Sequence, residues 1–109
     1  MLDTSELTAA VERFADRLRV APQSRLQRGA AAEGLALARE LALLAQRIEE
    51  PESAGRIMPD AGVFTVADQL VVAGNDLAEI LRTAPGGSRE RELGEAVDLV
   101  RKALGRAGL

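Results

Sequence analysis

The chain has 109 residues and contains no histidine, cysteine, tryptophan or tyrosine, so it lacks the side chains on which most neutral-pH proton transfer, thiol chemistry and zinc binding depend. Its apolar fraction of 47% and charged fraction of 28% are typical of a globular protein, and its length suits one helical domain over residues 1–109. The net charge of -3 disfavours general nucleic-acid binding, which needs excess positive charge.

The chain also lacks the features of membrane and exported proteins. No apolar run approaches the ~18–20 residues of a membrane span, and the polar N-terminal residues are unlike a signal peptide. We therefore expect a cytoplasmic protein that does not bind membranes. Lys102 is the single lysine against many arginines, and with the high Ala and Gly content this indicates a GC-rich bacterial genome.

Hydrophobic residues recur every three to four positions and predict four amphipathic helices, separated by proline- or glycine-containing segments. The predicted ranges are 5–20, 24–49, 65–82 and 88–106. Asp3 or Thr4 is the expected N-cap of the first helix. Gly29 and Gly34 weaken the second helix by about 1 kcal/mol each relative to alanine. The main inward-facing residues are Leu7, Val11, Phe14, Leu18, Leu26, Ala30, Leu37, Leu41, Leu44, Ile48, Val66, Leu70, Ala73, Leu77, Leu81, Leu93, Val97, Val100 and Leu104.

Four such helices with mainly short connections predict an all-α fold, an antiparallel up-down-up-down four-helix bundle. A shift of 63 residues aligns the first helix with the third, and both are followed by an Arg-x-Ala-Pro sequence. A duplicated helical hairpin explains this repeat. Easy matching between Ala- and Leu-rich helices explains it equally well.

An up-down-up-down order would place both Arg-x-Ala-Pro turns at the same end of the bundle. Arginines would then gather beside two helix N-termini, which is favourable for a phosphate, a carboxylate or an acidic partner. Alternatively, several of these arginines only complement the negative ends of helix dipoles. The candidate binding residues are Arg19, Arg25, Arg28, Arg82 and Arg89.

Some apolar residues fall outside the main hydrophobic stripes. Leu35 and Leu43 do so on the second helix, and Val71 and Val72 on the third. A helix that is apolar on more than one face is either central in the fold or covered by a partner. The sequence thus predicts a homodimer through these two helices, with burial inside the monomer as the alternative.

Carboxylates are the strongest metal ligands that this composition leaves. Glu92, Glu95 and Asp98 have a spacing used by helical magnesium-dependent enzymes, but they lie opposite the apolar stripe of their helix. A solvated helix face is the simpler interpretation. We predict no catalytic residue, no bound metal and no cofactor.

The connection over residues 50–64 is long for a turn in a helical bundle. Its residues Ile57, Met58, Val63 and Phe64 are costly to expose, so we expect them to pack over one end of the bundle. A tight turn is expected over residues 59–62. A ligand lid is the alternative.

Two classes of function fit these observations. The first is a non-catalytic helical interaction protein, a small regulator, adaptor or assembly subunit that binds a second copy or another protein. The second is a small-ligand, anion-binding or enzymatic domain that uses the arginines, or uses Glu92, Glu95 and Asp98 with a divalent metal. The scarcity of catalytic side chains favours the first.

Overall fold

The computed structural model describes residues 2–52, 54–84 and 89–109, and in this part of the chain four long helices pack against one another with no strand. The predicted all-α four-helix fold is confirmed. The elements are α1 (Ser5–Val20), α2 (Gln23–Arg25), a kinked segment (Leu26–Ala30), α3 (Ala31–Glu49), α4 (Val66–Thr83) and α5 (Glu90–Ala107). The predicted start of the last helix at Ser88 lies outside the described residues.

Of the two predicted N-cap residues of α1, Asp3 makes side-chain hydrogen bonds to the helix start and Thr4 does not. Asp3 Oδ1 accepts hydrogen bonds from Ser5 N at 2.9 Å and from Ser5 Oγ at 2.6 Å. Thr4 is buried, and its Oγ1 accepts a hydrogen bond from Arg82 Nη1 at 2.6 Å. Asp3 therefore satisfies the first exposed amide of the helix, while Thr4 links the helix to the end of α4.

The second predicted helix is interrupted at Gly29. The backbone there has φ 148°, a value that only glycine adopts readily, and this non-helical residue produces a kink. The kinked segment separates short α2 from long α3. Leu26 and Ala30 on either side of Gly29 remain buried, so the kink preserves the predicted core contacts of this segment.

Contacts at three levels show that α1 and α4 run in opposite directions. Thr4 before α1 bonds to Arg82 at the end of α4, and Arg19 at the end of α1 pairs with Asp68 near the start of α4 at 3.2 Å. Between them, Gly74 faces Val11. These two helices form a closely packed antiparallel pair.

The helices α3 and α4, in contrast, run in the same direction. Gly34 near the start of α3 faces Val66 at the start of α4, whereas Ala45 and Asp76, both later in their helices, line one groove. Helix α5 is antiparallel to α3, because Arg106 near its end pairs with Glu33 near the start of α3 at 2.9 Å. The order of directions is therefore up-down-down-up, and the up-down-up-down prediction is wrong.

The helix directions differ from the prediction because of the connection between α3 and α4. We call residues 54–62 of this connection the strap. It runs back along α3 instead of covering the bundle end as expected: Arg56 bonds to Gln46, and further along Met58 O accepts from Arg39 Nε at 2.8 Å. At its end Asp60 Oδ1 accepts from Gly62 N at 2.8 Å, but the backbone turn lies over residues 63–65, after the predicted range of 59–62. The strap thereby returns the chain to the level at which α3 began.

The core comes from all four long helices, and every predicted inward-facing residue of α1 and α4 is buried. Consecutive helices α1 and α3 lie across the core from each other, since each packs mainly on α4 and α5. The contact between Val11 and Gly74 joins residues 63 positions apart, the spacing of the sequence repeat. The two repeats thus meet at equivalent positions, as in a two-fold symmetric pair. No helix in the described ranges is long and apolar enough to cross a membrane.

Candidate functional site: a groove between α3 and α4

The five arginines expected to share one end of the bundle are divided between its two ends. Arg19, Arg25 and Arg28 lie where α5 ends, since Arg25 Nη1 donates to Gly108 O at 2.6 Å. Arg82 lies at the opposite end, where α1 begins, and Arg89 directly precedes α5. At 1.5 Å per residue, α5 separates its two ends by about 27 Å. The predicted five-arginine cluster is not formed, because its placement assumed an up-down-up-down order.

The arginines of the predicted cluster mostly contact neighbouring parts of the fold. Arg19 lies between Asp16 and Asp68, with N···O distances of 3.1 and 3.2 Å. The pKa of Arg19 is raised, chiefly by its hydrogen bond to Asp68. Arg82 pairs with Glu79 at 2.6 Å, in addition to its bond to Thr4. These contacts account for Arg19 and Arg82 without a ligand.

The four predicted interface residues differ strongly in exposure. Leu35 is only 7% exposed and belongs to the core, which explains its apolar character without a partner. Leu43 is covered by the strap near Gly55, and Val71 packs partly against the core. Val72 is 58% exposed on the surface of α4. Among these four, Val72 is therefore the residue whose apolar surface remains open to a partner.

Val72 lies in a groove of about 430 Å³ between α3, α4 and the strap, which we call the α3–α4 groove. Small alanines on both helices leave room between them, and Met58 of the strap supplies the third wall. The volume is at the small end of the range of about 300–1,000 Å³ for small-molecule pockets, and the groove is open to solvent on one side. Its lining consists of Ala42, Ala45, Gln46, Glu49, Arg56, Met58, Val72, Ala73, Asp76, Glu79 and Ile80.

The charges of the groove are mainly negative. Glu49, Asp76 and Glu79 contribute three negative charges, and Arg56 contributes one positive charge, which leaves -2. Glu79 is paired with Arg82, whereas Glu49 and Asp76 make no ion pair with any residue of the described ranges. The groove thus combines an apolar floor with two unpaired carboxylates at its edge.

Helix side chains hold the strap in place as a wall of the groove. Gln46 Oε1 accepts from Arg56 N at 2.7 Å, and Gln46 Nε2 donates to Arg56 O at 3.4 Å, so one amide binds both main-chain groups of Arg56. Beyond the groove, Gln69 Nε2 donates to Pro59 O at 3.0 Å. Ile57 between these attachments is 74% exposed and extends the apolar surface of the strap into solvent.

Two of the three carboxylates in the series on α5 have the outward orientation expected from their spacing. Glu95 and Asp98 are exposed, and Glu95 pairs with Arg91 at 3.6 Å. Glu92 is partly buried at 3.9 Å from Arg89. In the described residues, no three acidic side chains are grouped so that they could hold a metal ion.

The chain matches no protein-family model, no curated protein and no solved structure. Sequence reasoning found Val72 through its position outside the apolar stripe. It missed Asp76 and Glu49 as neighbours of Val72, because only the parallel packing of α3 and α4 brings them to one groove.

Proposed function

We propose that this protein is a non-catalytic helical interaction protein whose α3–α4 groove binds a basic amphipathic helix of a partner protein. The observation that supports the proposal is the open apolar surface of Val72 beside the unpaired carboxylates of Glu49 and Asp76. Helix-in-groove binding uses this combination, with apolar side chains in the groove and charged residues along its edges.

The apolar part of the proposed interface supplies affinity. Fully burying an exposed valine-sized side chain is worth about 1.5–3 kcal/mol, so burying the 58% of Val72 that remains exposed would contribute roughly half of that. Met58 and Ile80 are partly buried in the same groove. Apolar side chains one helical turn apart on a partner can contact these residues together.

The acidic edge determines which partner fits. Lysine or arginine on the partner would pair with Glu49 and Asp76, whereas an acidic partner would be repelled. The same argument bears on the homodimer expected from the sequence. A symmetric dimer through this face of α4 would bring Asp76 and Glu79 of both copies towards each other, which like charges disfavour. A basic partner helix therefore suits the groove better than a second copy does.

The proposal is tested with a designed amphipathic peptide of leucine and lysine, and with its counterpart in which glutamate replaces lysine. We expect the basic peptide to bind the full chain and Val72→Asp to weaken binding about tenfold or more, which corresponds to about 1.4 kcal/mol. Fluorescence anisotropy of the labelled peptide measures both affinities.

The chain offers a matched control for this substitution. Val20 is 82% exposed at the end of α1, so Val20→Asp makes the same chemical change away from the groove and should leave the affinity unchanged. Equal binding of the acidic peptide, or equal losses for the two variants, would contradict the proposal. A dimer that dissociates in Val72→Asp but not in Val20→Asp, measured by analytical ultracentrifugation, would show that a second copy and not a partner helix occupies the groove.

A further inference from the structure

A second concave site lies at the end of the bundle where α5 ends and α3 begins. It is a polar cavity of about 480 Å³ that the groove does not include. From its charges we infer that it binds a dianion, with the chemistry of a phosphate group. Its lining consists of Arg25, Arg28, Gly29, Ala30, Glu33, Arg106, Ala107 and Gly108.

The charges of the cavity fit a dianion in number. Three arginines contribute +3 and Glu33 contributes -1, which leaves +2. A phosphate group carries about -1.5 to -2 near neutral pH, so one such group balances the cavity. Guanidinium groups bind phosphate oxygens through paired N–H donors, and the planar arrangement of these donors makes arginine well suited to this contact.

The three arginines differ in their present contacts. Arg25 donates to Gly108 O at 2.6 Å, and Arg106 pairs with Glu33 at 2.9 Å. The side chain of Arg28 makes no hydrogen bond or ion pair with any residue in the described ranges. All three side chains are exposed, which leaves their donors accessible to a ligand from solvent. Arg28 is thus the residue of this cavity whose charge the described part of the fold does not use.

Gly29 lies in the wall of the cavity, at a kink in the backbone. With φ 148°, it interrupts the helix directly after Arg28. A Cβ added at Gly29 would meet no atom within 4 Å, so available space does not explain the glycine and the backbone conformation does.

One feature of the cavity opposes anion binding and is offset locally. The C-terminal end of α5 reaches the cavity at Ala107 and Gly108, and helix C-termini carry partial negative charge. Arg25 binds the oxygen of Gly108, while Arg17 Nη1 binds the main-chain oxygen of Leu109 at 2.9 Å. These contacts place positive charge beside the helix end, whose partial charge of about -0.5 is smaller than the +2 of the lining, so the cavity keeps a net positive charge.

The site is tested by isothermal titration calorimetry at low ionic strength with inorganic phosphate, pyrophosphate, adenosine monophosphate and acetate. We expect phosphate and pyrophosphate to bind and acetate, a monoanion, to bind at least tenfold more weakly. Tighter binding of adenosine monophosphate than of inorganic phosphate would identify a phosphate ester as the ligand. Equal binding of phosphate and acetate would overturn the inference.

A pair of variants separates the site from general attraction between charges. Arg28→Gln and Arg47→Gln each remove one positive charge, but Arg28 lines the cavity whereas Arg47 lies near the far end of α3. We expect about tenfold weaker phosphate binding for Arg28→Gln and no change for Arg47→Gln, with unchanged circular dichroism for both. Equal effects of the two variants, or no phosphate binding by the unmodified chain, would refute the cavity as an anion site.

Discussion

The close approach of α1 and α4 at Gly74 gives the most direct test of the packing. An added Cβ at Gly74 would lie 2.9 Å from both Val11 Cγ1 and Val11 Cγ2, and 3.2 Å from Val11 Cβ. Valine in a helix has essentially one side-chain rotamer, so Val11 cannot turn away from the new methyl group. Gly74→Ala therefore forces the two helix backbones apart.

The expected magnitude follows from two opposing terms. Overpacking a well-filled core by one methyl group costs about 1–3 kcal/mol. Replacing glycine by alanine inside a helix returns about 1 kcal/mol through helix propensity. The variant should thus be destabilised by up to about 2 kcal/mol, with Tm falling by about 4–8 °C for each kcal/mol.

The measurement is urea denaturation of Gly74→Ala together with the control Gly94→Ala. Gly94 lies inside α5, and an added Cβ there meets no atom within 4 Å. Gly94→Ala should therefore raise the free energy of unfolding by about 0.5–1 kcal/mol. In the double variant Val11→Ala/Gly74→Ala, removal of the valine methyl groups makes room for the new one. The cost of Gly74→Ala should then disappear.

If Gly74→Ala stabilises the protein as much as Gly94→Ala does, Val11 and Gly74 are not in contact in solution. An unchanged cost of Gly74→Ala when Val11 is alanine would refute the specific contact while leaving the helix pairing intact.

Two further predictions concern the strap and the first helix. Gln46→Ala should accelerate hydrogen exchange at the Arg56 amide and leave exchange in the α4 core unchanged. The reason is that the Gln46 side chain binds both main-chain groups of Arg56, and each hydrogen bond has a net worth of about 1 kcal/mol. Unaltered exchange at Arg56 would contradict this attachment of the strap. Hydrogen bonds from the Ser5 hydroxyl and amide hold the pKa of Asp3 below its ordinary value of 3.8. The stabilisation by Asp3 is therefore fully present above pH 3.8 and is lost as the pH falls through the lower pKa of the folded state. The difference in Tm between the unmodified chain and Asp3→Ala should be constant above pH 3.8 and should shrink as the pH falls below that value. A difference in Tm that persists at the lowest pH would contradict the stabilisation by ionised Asp3.

Periodicity predicted the helices well and their directions poorly. The apolar stripes of α1 and α4 are buried as expected, because one-sided burial leaves a clear pattern in the sequence. That pattern is the same whichever way a helix points. Direction depended on the connection at residues 50–64, whose 15 residues can span about 50 Å when extended. This exceeds the length of about 28 Å of α3, so the connection can return along the whole helix.

The residues of the candidate sites were likewise predictable where they depend on one helix, and not where they depend on the directions of several helices. Val72 was recognisable from the sequence, since its position outside the apolar stripe is a local property of one helix. Arg106 was not, because only the antiparallel pairing of α3 and α5 brings it to Arg25 and Arg28. Residues on different helices can be assigned to one site only when the topology is known.

The placement of α1 and α3 on opposite sides of the core also has a consequence for how the chain folds. Helix α1 finds its main partners in α4 and α5, so its burial waits for contacts between residues far apart in sequence, such as Val11 with Gly74. Such distant contacts slow folding relative to bundles in which the first helix packs on the next one. During synthesis, the first half of the chain has its apolar stripe without the helices that cover it. A fragment of residues 1–50 should therefore remain largely unfolded until a fragment of residues 51–109 is added.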